Sequence, residues 1–154
     1  MDVEIRMASN ADREQITGLV YSILEEYGLS PDPDDNDADL KDIDTYYLQR
    51  GGAFRVMVQE DGRIVGTVGL SPKGDGLVEL KKMYLAPELR GQGLGKRLLT
   101  EAIEEARRSG FRRIELKTAS RLETAICMYR SAGFQEIVLD HPISRCNQAF
   151  ALDL

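Results

Sequence analysis

The feature that most constrains this chain is a run of six residues, Arg90-Gly91-Gln92-Gly93-Leu94-Gly95, with glycine at every second position. Before it, Leu77–Leu85 reads as a strand. After it, Leu94, Leu98, Leu99, Ala102, Ile103 and Ala106 recur at the spacing of an amphipathic helix from Gly93 to Ser109, which Gly110 stops. A glycine turn between strand and helix leaves the first helical amides without carbonyl partners, and the aligned peptide dipoles add partial positive charge there. Glycines let the backbone close on an anion without Cβ obstruction, and Arg90, Lys96 and Arg97 add charge beside it. The turn therefore predicts a phosphate cradle. Its spacing excludes two common ones. A nucleoside-triphosphate loop needs Gly-Lys followed by Ser or Thr, but Gly95-Lys96 is followed by Arg97, and Arg90 stands where that motif requires its first glycine. The dinucleotide pattern G-x-G-x-x-G fails because Gly91, Gly93 and Gly95 are evenly spaced.

The strand before the turn changes parity. Val78 and Leu80 share one face, whereas Met83 and Leu85 fall on the other. Burying both pairs together needs an extra residue near Lys81-Lys82, so a β-bulge is predicted there, with two-sided burial as the alternative. Elsewhere Val3, Ile5 and Met7 alternate as an opening strand, and Ser9 with Asp12 makes a capping box for a helix ending at Gly28. A loop from Pro31 leads to a short helix around 39–49. Strands at Phe54–Val58 and Arg63–Leu70 flank an Asp61-Gly62 turn. A strand at Ile114–Ala119, a helix at Glu123–Ala132 and strands at Phe134–Leu139 and Gln148–Leu154 complete the chain. This order predicts an α+β fold over residues 1–154 as one domain, with one mixed sheet.

Composition narrows the partners. The net charge of −6 is unevenly spread: residues 1–50 carry thirteen acidic against four basic residues, and residues 81–121 eleven basic against five acidic. A basic middle in an acidic chain suits a small polyanion better than nucleic acid. No apolar run approaches the roughly 20 residues that span a bilayer. Two cysteines and an N-terminus without a signal-peptide pattern imply a cytoplasmic protein, and a single histidine rules out a Cys₂His₂ zinc site; no metal is expected.

Leu80 through Gly95 resembles the central motif of the GNAT-superfamily N-acetyltransferases, whose Gln/Arg-x-x-Gly-x-Gly/Ala pattern is met by Arg90, Gly93 and Gly95. Ala125 through Phe134 is similar to the same superfamily's Ala-x-x-x-Tyr-x-x-x-Gly-Phe segment. The resemblance implies a splayed sheet of about seven strands flanked by about four helices, with acetyl-CoA inserted between the fourth and fifth strands as co-substrate. It implies that the main chain of Met83, Tyr84 and Leu85 holds the pantetheine arm and that the turn from Arg90 through Gly91, Gln92, Gly93, Leu94 and Gly95 to Lys96 holds the pyrophosphate. Relatives often carry Asn where Leu122 stands, so that coenzyme contact is absent or supplied elsewhere.

Acetyl transfer to an amine needs a base, oxyanion donors and an acid for the departing sulfur. Tyr129 matches the family's usual acid, against the alternative of core packing. Glu79, before the bulge, is the candidate base, acting directly or through water, against the alternative of a solvated strand carboxylate. The acceptor is expected to be a small amine; a protein N-terminus or lysine, and a non-catalytic acetyl-CoA-binding module, are the alternatives, and a homodimer is left open. The seven aspartates between Pro31 and Asp44 offer either a wall that attracts a cationic amine or solvated acids and helix caps. His141 is read as structural or surface, Cys127 as lying off the Tyr129 face, and Cys146 as structural, with a facing toward the acceptor as the alternative.

Overall fold

The computed structural model describes residues 2–140 and 145–154, so the expectation for His141 lies outside the described residues. Seven strands form one sheet in the order β1-β2-β3-β4-β5-β7-β6: β1 (Val3–Met7), β2 (Ala53–Gln59), β3 (Ile64–Gly74), β4 (Leu77–Leu85), β5 (Arg113–Thr118), β6 (Gln135–Ile137) and β7 (Gln148–Asp153). The α-helices are α1 (Arg13–Glu26), α2 (Leu94–Arg108) and α3 (Glu123–Ser131). Only β4 and β5 pair in parallel; every other neighbouring pair is antiparallel. The mixed α+β sheet of the sequence reading is the observed fold.

Helix ends follow local chemistry. Ahead of α1, the Ser9 hydroxyl accepts from the Ala11 amide while Asp12 accepts from the Ser9 amide at 3.1 Å, closing the predicted capping box. The helix expected at 39–49 breaks in two, a 3₁₀ turn at Ala38–Lys41 and a π turn at Asp44–Leu48. Asp42 interrupts it: its extended backbone leaves the helix while its carboxylate accepts from the Thr45 amide and from the Asn10 side chain. Met7 is also a correction to the alternation, since it sits 41% exposed on the edge strand.

Two apolar layers sandwich the sheet. In one, Ile16, Val20 and Leu24 of α1 meet Leu40, Tyr47, Phe54 and Ile64. In the other, Leu98, Leu99 and Ile103 of α2 meet Val78, Leu80, Ile114, Tyr129 and Phe150. Met83 and Leu85 pack against this second layer with Val78 and Leu80, although their parity differs. The predicted bulge reconciles them. Thr67 pairs with Tyr84 and Gly69 with Lys81, so two steps along β3 face three along β4. Lys82, the extra residue, has φ 55°, and its carbonyl accepts from the buried Thr67 hydroxyl at 2.7 Å.

The same strand creates the opening that matters. β4 and β5 pair only over Leu77–Glu79 with Arg113–Glu115. Beyond Glu79 they part, and Leu116–Thr118 of β5 continues to pair with β7 alone. The bulge and the parting leave the β4 edge from Lys81 to Leu85 facing a cleft without a strand partner.

Candidate functional site

Two depressions share this cleft and meet at Met83, Tyr84 and Leu122. The first is a groove of about 260 Å³ between the glycine turn and α3, bounded by Ile23 of α1 and Tyr27 just past its end, by Met83, Tyr84 and Leu85, and by Thr124, Ala125 and Met128. Its far end is built from backbone. Among the described residues, none of the amides from Gly91 to Lys96 donates a hydrogen bond; the first helical bond of α2 runs from the Arg97 amide to the Gly93 carbonyl at 3.1 Å. Gly91 and Gly93 hold φ of 79° and 81°, a region that L side chains rarely adopt, and a Cβ on either would project into open space. Gly95 has another role: a Cβ there would stand 3.3 Å from the Met128 sulfur, so its absence lets α2 start directly against α3. Six unpaired amides at the positive end of a fifteen-residue helix, with Lys96 beside them, fit a pyrophosphate.

Arg90 also borders this groove, but its guanidinium is engaged. It donates to both carboxylate oxygens of Glu26 at 2.6 and 3.0 Å, to the Tyr27 hydroxyl at 3.2 Å and to the Leu85 carbonyl at 3.1 Å. It thereby ties the end of α1 to the glycine turn. Gln92 is exposed, its amide reaching the Glu88 carbonyl at 3.4 Å, and the Leu94 side chain packs against the core. Of the ten residues expected around the coenzyme, the side chains of these two do not border the groove. The bordering residues that sequence reasoning missed, Ile23, Tyr27, Thr124 and Met128, come from α1, its C-terminal cap and α3. Their helical periodicity was visible, but not which turn of each helix would reach the cleft.

The second depression, a cavity of about 330 Å³, is polar. Glu79 and Tyr129 both border it, so the structure brings the candidate base and acid to one chamber. Glu79 is paired with Lys73 at 3.2 Å. Tyr129 is 4% exposed, tilted against Phe134 with ring centroids 5.8 Å apart, and its hydroxyl makes no hydrogen bond among the described residues. Burial, then the neighbouring Tyr84 and Cys146, push its phenol well above the ordinary tyrosine value, so it holds its proton at neutral pH. Tyr84 is pushed up to about 12, chiefly by burial. Cys146 borders this cavity, and burial raises its thiol despite the adjacent Arg145; Cys127 is exposed, away from it.

Beside the cavity lies a buried ion network that the sequence did not disclose. Asp37 and Asp39 are 1% and 3% exposed. Lys82, at the bulge, reaches Asp37 at 3.2 Å and Asp39 at 3.1 Å, and Arg145 grips Asp37 in a bidentate pair at 2.6 and 2.7 Å. Tyr47 donates to Asp39 in a further short contact. These aspartates hold protein cations, and three others serve the backbone: Asp32 accepts from the Asn36 amide, Asp42 from the Thr45 amide and Asp44 from the Asn10 amide. Only Asp35 of the seven borders the cavity. The acidic segment is thus mainly a scaffold of ion pairs and turn caps, the second of its two readings.

Known proteins share this architecture. Residues 19–134 match the acetyltransferase (GNAT) family. The uncharacterized N-acetyltransferase YjgM of Escherichia coli is 36% identical over 138 residues, which is 86% of this chain and 82% of that protein. A GNAT-family acetyltransferase of Staphylococcus aureus superposes with a TM-score of 0.92 at 26% identity, covering 99% of each chain. A phosphinothricin acetyltransferase of Sinorhizobium meliloti, crystallised with acetyl-CoA, has the same fold, with a TM-score of 0.78 at 24% identity over 100% of this chain and 89% of its own.

Proposed function

This chain belongs to the acetyltransferase (GNAT) family, and from that premise we propose that it transfers an acetyl group from acetyl-CoA to a primary amine of a small molecule, by direct attack in a ternary complex. One observation carries the reading. The β4–β5 cleft joins a groove of unpaired amides to a polar chamber, and Tyr129 borders that chamber with a protonated, unengaged phenol. The amides from Gly91 to Lys96 would hold the pyrophosphate, and the unpartnered β4 edge at Met83–Leu85 would hold the pantetheine arm. Leu122 offers no side-chain amide there, so the coenzyme arm would meet an apolar side chain. When bound, acetyl-CoA supplies a thioester carbonyl open to a neutral amine.

The chain's own groups then have separable roles. Glu79, held by Lys73, accepts the proton that the incoming ammonium must lose, directly or through water. A main-chain N–H beside the bulge, at Met83 or Tyr84, favours negative charge developing on the carbonyl oxygen. Tyr129 delivers a proton to the departing sulfur. A phenol protonated across the neutral range, which burial only reinforces, suits that role better than a base's, since it has a proton to give. A chamber of about 330 Å³ bounded by Tyr46, Tyr84 and Arg145 favours a small acceptor over a folded one. The resident acetyl-CoA of the Sinorhizobium enzyme supports the choice of donor.

Release of free thiol from acetyl-CoA, followed across a panel of small amines, tests the activity. Tyr129→Phe is expected to lower kcat by roughly 100-fold while acetyl-CoA affinity is kept. Release at the wild-type rate across the pH range would remove Tyr129 from the role of acid.

A further inference from the structure

Resting on that acetyltransferase reading, we propose that the acceptor amine also carries an acidic group, a carboxylate or its phosphonate counterpart, and that Lys81 is the residue that selects it. Five cations border the chamber: Lys73, Lys81, Lys82, Lys117 and Arg145. Three are neutralised within the protein, Lys73 by Glu79 and Lys82 and Arg145 by the buried Asp37 and Asp39. Lys117 is solvent-exposed. Lys81 is different. It is half-buried, it borders the chamber, and among the described residues no carboxylate lies within ion-pair distance of its ammonium.

What Lys81 does touch is neutral. Its ammonium donates to the Tyr46 hydroxyl at 3.0 Å and stands 5.0 Å from the centre of that ring. Arg50, which is solvent-exposed, covers the same ring at 5.1 Å. A phenol is a poor substitute for a carboxylate as counter-ion to a desolvated ammonium, and the residual positive charge faces the chamber. The proton stays on Lys81: burial alone would lower its pKa, but the field of Asp39 and the bond to Tyr46 leave it raised.

The remaining carboxylates complete the match. Glu79 and Asp35 border the same chamber, and Asp35 makes no ion pair among the described residues. A cation-selecting pocket would leave acids free and cations paired. Here a half-buried lysine is left unpaired while the two best-buried acids are consumed, and the one acid left free, Asp35, is exposed. A zwitterion, with its ammonium toward the carboxylates and its acid toward Lys81, meets both unpaired charges at once, whereas a plain alkylamine leaves Lys81 without a partner.

The test uses matched acceptors that differ only in the acid: leucine, phenylalanine, glutamate and methionine, each against its primary amide and its decarboxylated amine, with aminoethylphosphonate against ethylamine. Thiol release gives kcat/KM for each, and calorimetry gives the acetyl-CoA Kd. The expected result is a preference of tenfold or more for the acid in at least one pair, expressed mainly in KM. In Lys81→Gln the preference falls toward unity with the acetyl-CoA Kd retained, and Lys81→Arg restores it. Tyr46→Phe, which keeps the lysine's charge and removes only its hydroxyl partner, keeps the preference and so separates recognition by Lys81 from support of Tyr46. Turnover confined to amides and plain amines, no turnover of any acid, or a preference that survives Lys81→Gln overturns the assignment. Failure of acetyl-CoA to bind at all strikes the acetyltransferase reading instead.

Discussion

The two halves of the cleft are built by opposite means. The groove we assign to the coenzyme is specified by backbone: six consecutive amides unpaired among the described residues, two glycines in left-handed geometry, and a single engaged arginine as its brace. The chamber we assign to the acceptor is specified by side-chain charge delivered from distant segments, Lys81 and Lys82 on β4 and Arg145 before β7, with Asp37 and Asp39 after α1 behind them. A ligand common to a whole family can be met by main chain, which any sequence supplies once the glycines are in place. A ligand that distinguishes one enzyme from another has to be met by side chains, which can be exchanged without disturbing the fold.

The sharpest way to break this contrast is to strip a charge from the chamber. Arg145→Met leaves the buried Asp37 carboxylate with Lys82 as its one cation, beside the Asp32 amide. The expected loss of folding stability is about 3 kcal/mol, the scale for removing one partner of a buried pair. Urea denaturation with and without saturating acetyl-CoA reads it, and a loss below about 1 kcal/mol would show that the network is better solvated than its burial implies.

The groove is expected to answer the opposite way. Gly93→Ala adds a Cβ where the free protein has space, so the fold loses only the left-handed backbone penalty, about 1–2 kcal/mol. The methyl nevertheless occupies the cradle, and the acetyl-CoA Kd should rise about tenfold or more by calorimetry. An unchanged Kd would move the pyrophosphate off this turn.

The smallest expected effect is in acid. Burial by itself would raise the Asp37 carboxyl, but the hydrogen bonds from Arg145 and the Asp32 amide, with the charge of Lys82, hold it below its ordinary value. Stability from a lowered carboxyl is fully present above the unfolded value of about 3.9 and is lost as pH falls through the folded value. From about pH 5 to pH 2 the native protein should therefore lose denaturant stability more steeply than Asp37→Asn. Equal slopes would mean that Asp37 is not the group that titrates.

How much of this was legible follows the same division. The parity change across Val78, Leu80, Met83 and Leu85 located the bulge because burial on a strand has a strict period of two, and one extra residue is the least correction that keeps both pairs in the core. The Ser9–Asp12 box was readable because both partners lie within one turn. The short helix at 39–49 was misjudged where Asp42 preferred the Thr45 amide and Asn10, a partner thirty-two residues away. The seven aspartates looked like one feature in the sequence and proved to be several, since nothing near them in the chain announces Lys82 or Arg145.

The sequence by itself determined the strand–turn–helix that leaves amides unpaired, the register of β4 and the presence of a tyrosine on α3, because each rests on contacts within a few residues or on a simple periodicity. The tertiary structure alone decided that β4 and β5 part after Glu79, that Arg90 braces α1, that Asp37 and Asp39 are spent on Lys82 and Arg145, and that Lys81 is left facing the chamber without a carboxylate. The last three depend on which charges meet across 40 to 110 residues of chain, and the free energy of an ion pair is set by burial and distance, which have no local signature.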